Sequence, residues 1–214
     1  MNTKEKILNL VREYLLGVLA GISISMGGVA NLASGNKIVG SLFFTVGLFL
    51  VLTGRFNLFT GKVCYAFEKK PSYIFNLIFI WLGNLTGALI FGGGLRLTRL
   101  ISLEQKCVEL CTTKINDSFI SLLILGILCN ILIFVAVHGF NNSKSDIIKV
   151  LSLFFGVSVF VLCGFEHCVA DMFYFSFAAV WSFKTFACLL VITLGNILGG
   201  IFAWFAYRMA RKLN

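Results

Sequence analysis

The segment Gly164-Phe165-Glu166-His167-Cys168-Val169-Ala170-Asp171 sets a carboxyl group, an imidazole and a second carboxyl group in a stretch that is apolar on both sides. Ionisable groups at membrane depth are expensive and normally face a partner or a water-filled path. Histidine exchanges a proton or a strong hydrogen bond near neutral pH, its unperturbed pKa being about 6.5. A second polar interruption is Gly54-Arg55-Phe56-Asn57-Leu58-Phe59-Thr60-Gly61-Lys62. Arg55, Asn57 and Lys62 are costly on a lipid-facing helix, and irregular backbone at that depth is tolerated only against protein or a water-filled cavity. Glycines at both ends permit a turn. Thr60 and His167 are short polar groups able to replace lost hydration around a small anion without trapping it. Half-helices starting after Thr60 and near Asp171 would add partially positive N-terminal amides.

The surrounding chain must hold two such interruptions in an apolar medium. Of its 214 residues, 58% are hydrophobic and only 13% are charged, too few charges to cover a soluble domain of this size. Long apolar runs without strand-like alternation predict helices. Six spans are expected, near residues 15–34, 38–67, 73–97, 116–139, 146–181 and 183–207. The second and fifth are too long for a simple crossing, and each contains one of the interruptions. The first follows a charged start in the manner of a signal peptide. It lacks an obvious small-residue cleavage site and is expected to remain as a mature helix. Ile7, Leu8, Val11 and Leu15 share a helical face, which predicts a short interfacial helix ahead of it.

Leu82-Gly83-Asn84-Leu85-Thr86-Gly87-Ala88 in the third span matches Leu194-Gly195-Asn196-Ile197-Leu198-Gly199-Gly200 in the sixth, 112 residues on. Thr60 and His167 lie 107 residues apart, which pairs the two interruptions. Residues 15–97 and 116–207 therefore read as two copies of one unit within a single transmembrane domain. Three crossings per copy make this an inverted repeat, with broken helices meeting at the midplane around a transport site. The steps Gly17/Gly21, Gly83/Gly87 and Gly195/Gly199 suit close helix packing and specify no function.

The net charge of +9 has a membrane explanation. Six spans put Lys4, Lys6, Arg12, Lys69, Lys70, Lys144, Lys149, Arg208, Arg211 and Lys212 on the side of both termini. Lys37, Arg96, Arg99, Lys106, Lys114 and Lys184 fall on the other side, and the imbalance predicts cytoplasmic termini. No basic run with interleaved aromatics points to nucleic acid. The seven cysteines show no metal-ligand spacing, and most lie in spans as small apolar fillers. Cys107 and Cys111 are expected to form neither a metal site nor a disulfide. No cofactor is implied.

These residues resemble the formate/nitrite transporter family, which includes formate, nitrite and hydrosulfide channels. The resemblance runs from Gly17-Val18-Leu19-Ala20-Gly21 to Gly195-Asn196-Ile197-Leu198-Gly199-Gly200. Its anchors are Leu58-Phe59-Thr60-Gly61, Leu125-Gly126-Ile127-Leu128-Cys129-Asn130 and Gly164-Phe165-Glu166-His167. It implies an all-helical, aquaporin-like protomer with broken second and fifth helices, assembled as a homopentamer in which each protomer has its own pore. Aquaporins proper are excluded, since their paired Asn-Pro-Ala boxes cannot occur in a chain with one Pro. The resemblance makes His167 the central pore histidine, Thr60 the pore-loop threonine and Lys114 the lysine opening the fourth span. Asn130 becomes the asparagine near the histidine. Phe44, Leu48, Leu58 and Phe59 form one apolar constriction, with Phe160 and Ile133 on the other side.

Three departures stand out. Asn57 replaces an acid, the first break is one residue longer through Arg55-Phe56, and Asp171 replaces an asparagine. Asp171 brings a negative charge near an anion path unless Arg55 or Lys62 pairs with it or it holds a proton. Asn57, Glu166 and Asp171 are expected to be loop-structural, Glu166 by accepting backbone N–H groups. His138 is expected to be interfacial.

The expected function is passage of small monovalent weak-acid anions, such as formate, nitrite or hydrosulfide, across the plasma (inner) membrane of a prokaryote. His167 would assist by donating a proton, or a strong hydrogen bond, to the permeant, and a neutral acid costs far less to desolvate than an anion. Lys114 and the helix amides would supply an attractive field. No nucleotide motif implies ATP-driven transport. One alternative is proton-coupled symport. A rival of another class is an intramembrane hydrolase pairing His167 with Ser23 or Ser25, which lacks a nucleophile motif.

Overall fold

The computed structural model describes residues 3–212. The chain runs α1 (Thr3–Ala33), α2 (Lys37–Thr53), α3 (Phe59–Val63), a 3₁₀ turn (Ala66–Glu68), α4 (Tyr73–Leu95), a 3₁₀ turn (Arg99–Leu103), α5 (Glu104–Ile115), α6 (Phe119–Asn142), α7 (Asp146–Cys163), α8 (Cys168–Phe177) and α9 (Phe183–Lys212). Helices α1, α4, α6, α7 and α9 are long and apolar enough to cross a membrane. Large apolar side chains cover the outside, with Phe43, Phe155 and Phe202 more than 60% exposed. Such a surface suits lipid or a neighbouring subunit rather than water.

Three expectations change in detail. The short interfacial helix is continuous with the first span as the 31-residue α1, because no turn residue intervenes before Gly17. The loop after α4 contains a helix of its own, so Lys114 sits near the end of α5 instead of opening α6. Asp171 lies in the first turn of α8 and not in a loop.

The expected second span is α2, an interruption at 54–58 and the five-residue α3. The expected fifth is α7, an interruption at 164–167 and the ten-residue α8. Both interruptions open with the same cap. Gly164 ends α7 in the left-handed region (φ 72°), and Phe165 N–H bonds back to Phe160 C=O at 2.9 Å, a Schellman closure. Arg55 does the same after α2, at φ 54°, with Phe56 N–H on Val51 C=O at 2.9 Å. Gly54 is not the turning residue. Its φ is −77°, and it is small because a Cβ there would sit 2.6 Å from the Phe56 ring.

Two asparagines close the interruptions from behind. Asn84 on α4 accepts Phe59 N–H at 2.9 Å and donates to Asn57 C=O at 2.9 Å and Gly17 C=O at 2.8 Å. Asn196 on α9 accepts Cys168 N–H at 2.9 Å and donates to Glu166 C=O at 2.8 Å and Gly126 C=O at 2.8 Å. Each side chain therefore ties the loop, the new helix start and a neighbouring helix together. Close packing makes this possible: a Cβ on Gly199 would lie 2.1 Å from Ile127 C=O. The register of caps and clamps matches Arg55 with Gly164, Asn57 with Glu166, Leu58 with His167 and Phe59 with Cys168. The threonine and histidine that the spacing paired are therefore two positions out of register.

Removing a clamp strands buried backbone groups, each costing about 1–3 kcal/mol. Asn84→Ala and Asn196→Ala should each lose about 2 kcal/mol or more of stability in detergent unfolding, whereas Ser158→Ala should change little. Arg55→Gly should gain about 1 kcal/mol, since only glycine adopts the left-handed region freely.

Candidate functional site

The two interruptions meet at one contact. Thr60, in the first turn of α3, and His167, the residue preceding α8, are 0% and 2% exposed. Thr60 Oγ1 lies 2.9 Å from His167 Nε2. His167 also caps α8, its Nδ1 accepting the Ala170 N–H at 3.1 Å. With Nδ1 occupied as an acceptor, the proton of the neutral ring sits on Nε2 and is donated to Thr60. That leaves the Thr60 hydroxyl hydrogen with no acceptor among the described residues. A second ring proton would have to sit on Nδ1, against the Ala170 N–H. The local geometry therefore presents His167 as a neutral hydrogen-bond donor, the second of the two roles expected of it.

Neighbours fix both groups. Thr60 C=O accepts Asn130 Nδ2 at 3.1 Å, and the same amide donates to Asn196 C=O at 2.6 Å. Asn130 thus braces Thr60, and its own Oδ1 has no hydrogen-bond partner among the described residues. The Phe160 ring stacks on the imidazole at a centroid distance of 5.6 Å and meets Phe44 edge-on at 5.8 Å. Asn57 is held by its side chain, which donates to Glu13 Oε2 at 2.7 Å.

Two cavities approach this centre. A small one of about 60 Å³ is lined by His167, Phe44, Phe160, Lys114, Asp171 and Tyr174, among others. A larger one of about 470 Å³ is lined by Leu48, Leu58, Gly61, Arg55, Lys62 and Tyr65, among others. Phe44 and Leu48 are one turn apart on α2, so roughly 6 Å of helix separates the two linings. The apolar residues divide differently from the expected grouping. Phe44 joins Phe160 at the small cavity and Leu48 joins Leu58 at the large one, while Phe59 and Ile133 are buried and line neither.

Charge at the small cavity is concentrated in one cluster. Lys114 is 8% exposed, its Nζ donates to Glu166 Oε2, and it lies 3.0 Å from Asp171 Oδ1. Glu166 is thus bound to an ammonium instead of the expected backbone N–H groups. Asp171 pairs with neither Arg55 nor Lys62, which belong to the other cavity. Ser23 and Ser25 donate to Leu19 C=O and Gly21 C=O of their own helix, so neither is hydrogen-bonded to His167 as a hydrolase would require. Sequence reasoning missed the structural work of Asn84 and Asn196. The duplicated Leu-Gly-Asn was the available signal.

The family model described as formate/nitrite transporter matches residues 2–209. The formate channel BtFdhC of Bacillus thuringiensis is 31% identical, over 90% of this chain and 84% of that protein. The formate channel FocA of Escherichia coli K12 is 28% identical, over 89% of this chain and 82% of that protein. A solved pentameric formate channel with formate bound superposes with a TM-score of 0.84 at 26% identity, each chain covered completely.

Breaking a buried ion cluster by removing one partner costs about 3–5 kcal/mol. Lys114→Met should therefore destabilise the protein by about that amount in detergent unfolding. Adding Glu166→Gln and Asp171→Asn to it should restore most of the loss.

Proposed function

Because the chain belongs to the formate/nitrite transporter family, we propose that it is a membrane channel or transporter passing formate and similar small monovalent anions, nitrite and hydrosulfide included. Its relatives are named as channels or transporters, which agrees with a non-enzymatic role. In this reading the chain is one transmembrane domain of six crossings. Helices α1, α2 with α3, and α4 form one repeat. Helices α6, α7 with α8, and α9 form the second, inverted one. Five copies assemble, each with its own pore, in a prokaryotic inner membrane with both termini cytoplasmic.

The observation that carries this reading is the 2.9 Å contact between Thr60 and His167. The two broken helices converge there, and the two cavities lie beside it. An anion entering from either cavity sheds water between aromatic or aliphatic walls, Phe44 and Phe160 on one side and Leu48 and Leu58 on the other. The Thr60 hydroxyl hydrogen, left free because its oxygen accepts His167 Nε2–H, replaces that water as a donor. Because the imidazole stays anchored through Nδ1, it serves as a fixed donor that is not consumed. A proton reaching the permeant from solvent lowers the barrier further, since the neutral acid is cheaper to desolvate.

Formate flux into proteoliposomes tests the proposal. Wild type should dissipate a formate gradient. A hydrogen bond to an ion is worth about 1.5–3 kcal/mol, so His167→Phe should slow flux by about tenfold to a hundredfold. Thr60→Val should slow it as well, with Thr60→Ser close to wild type. Unaltered flux in His167→Phe would remove the histidine from the mechanism. Collapse of wild-type flux without a pH gradient, at fixed stoichiometry, would point to symport.

A further inference from the structure

The large cavity is far roomier than a small ion requires. Its volume of about 470 Å³ lies in the range of pockets that hold organic ligands, whereas the 60 Å³ cavity has room for one small ion or a few waters. Its lining has two characters. Leu48, Val51, Phe56 and Leu58 give it an apolar wall, and Leu48, Val51 and Leu58 are at most 3% exposed. Arg55, Lys62 and Lys69 line the same space, and the one acid among the lining residues is Glu68. That carboxylate is already engaged, accepting the Trp204 indole N–H at 2.9 Å and lying 3.9 Å from Arg208. None of the three cations has an ion-pair partner among the described residues. Arg55 is the most telling of them. The cap that closes α2 needs a left-handed residue, and the matching cap after α7 uses Gly164. An arginine at φ 54° is strained where glycine is not. Strain of this kind clusters at ligand clamps, and a guanidinium presents a planar fork that matches a carboxylate.

We propose that the large cavity is a binding site for an amphipathic organic anion, a carboxylate carried on an apolar body such as an aromatic ring, with Arg55 as the carboxylate clamp. The body lies against the wall of Leu48, Val51 and Leu58. The carboxylate meets Arg55, and Lys62 and Lys69 add to the attractive field. Formate has the charge but no apolar surface to bury, so it is not retained there. The larger anion is retained, and against Leu48 and Leu58 it stands in the path of anything moving toward Thr60. Its occupancy therefore blocks formate passage.

The binding site stands on the cavity alone, while the block rests on the anion pathway proposed above, and two measurements keep them apart. Titration calorimetry of the detergent-solubilised protein uses benzoate as the probe. Benzamide supplies the ring without the charge, and formate supplies the charge without the ring. Benzoate should bind at least about tenfold more tightly than either, because ring burial and a charge-assisted hydrogen bond each contribute on that order. Arg55→Gly relieves the backbone strain and is expected to fold. It should weaken benzoate binding about tenfold or more, whereas Lys144→Ala, the same loss of charge outside the cavity lining, should leave it unchanged. Benzoate binding no tighter than that of benzamide or formate overturns the site, as does unaltered binding by Arg55→Gly or an equal loss in Lys144→Ala. In proteoliposomes benzoate should slow formate flux through wild type and, at the same concentration, have little effect on Arg55→Gly. Tight benzoate binding with unslowed formate flux overturns the block. Absence of any formate flux in wild type without benzoate would instead sink the pathway itself.

Discussion

Backbone satisfaction at the two interruptions is the constraint on which the structure depends. A helix that stops inside an apolar medium exposes N–H and C=O groups that no water can reach, each costing several kcal/mol if left unpaired. The chain answers twice in the same way. A left-handed residue folds the last turn back on itself, and an asparagine from the next long helix supplies a carbonyl to the restarting helix and an amide to the loop. The asparagines can reach because glycines bring α1 against α4 and α6 against α9 until backbone nearly touches backbone. Small residues, clamps and breaks are therefore one device. Losing any member leaves buried polar groups without partners.

That device explains how an imidazole comes to stand in the middle of the protein. The position before α8 must satisfy a free amide of the new helix, and His167 does so through Nδ1. The equivalent position before α3 is Leu58, which makes no side-chain cap. The two breaks thus share a frame but differ in what they place at its centre. One gives an apolar residue and, two positions on, a threonine. The other gives a histidine whose remaining ring nitrogen is aimed at that threonine. Capping orients the ring, and its orientation defines the donor available at the centre.

Much of this was legible in the sequence because polar residues are so costly among apolar ones. The all-helical class, the two interruptions and the choice of Thr60 and His167 follow from that cost and from the duplicated Leu-Gly-Asn. The register between the two breaks did not follow. Spacing matched the two most polar residues, whereas the caps match Leu58 with His167, because backbone geometry and side-chain chemistry are set independently. The left-handed turn at Arg55 was hidden for a related reason. Gly54 advertises flexibility but is needed for the Phe56 ring, and its neighbour carries the strain. The separate helix α5 was also missed, since its twelve largely polar residues read as a loop between two apolar runs.

Electrostatics shows why local sequence is a poor guide to charge. Glu166 and Asp171 flank the histidine in the chain, yet their cation comes from α5, more than fifty residues earlier. Arg55 and Lys62 are the cations nearest Thr60 in sequence, and they line a different cavity. A buried charge is defined by what faces it, and pairing across elements decides that. With the lysine shared between two acids, the field at the small cavity is set by a balance of three groups. The large cavity has three cations in its lining, Arg55, Lys62 and Lys69, against the single acid Glu68, which the Trp204 indole already engages at 2.9 Å. The two cavities therefore differ in charge, the small one with its cation balanced by acids and the large one with an excess of cations. The asymmetry between the two breaks therefore extends from the central pair to the cavities beside it.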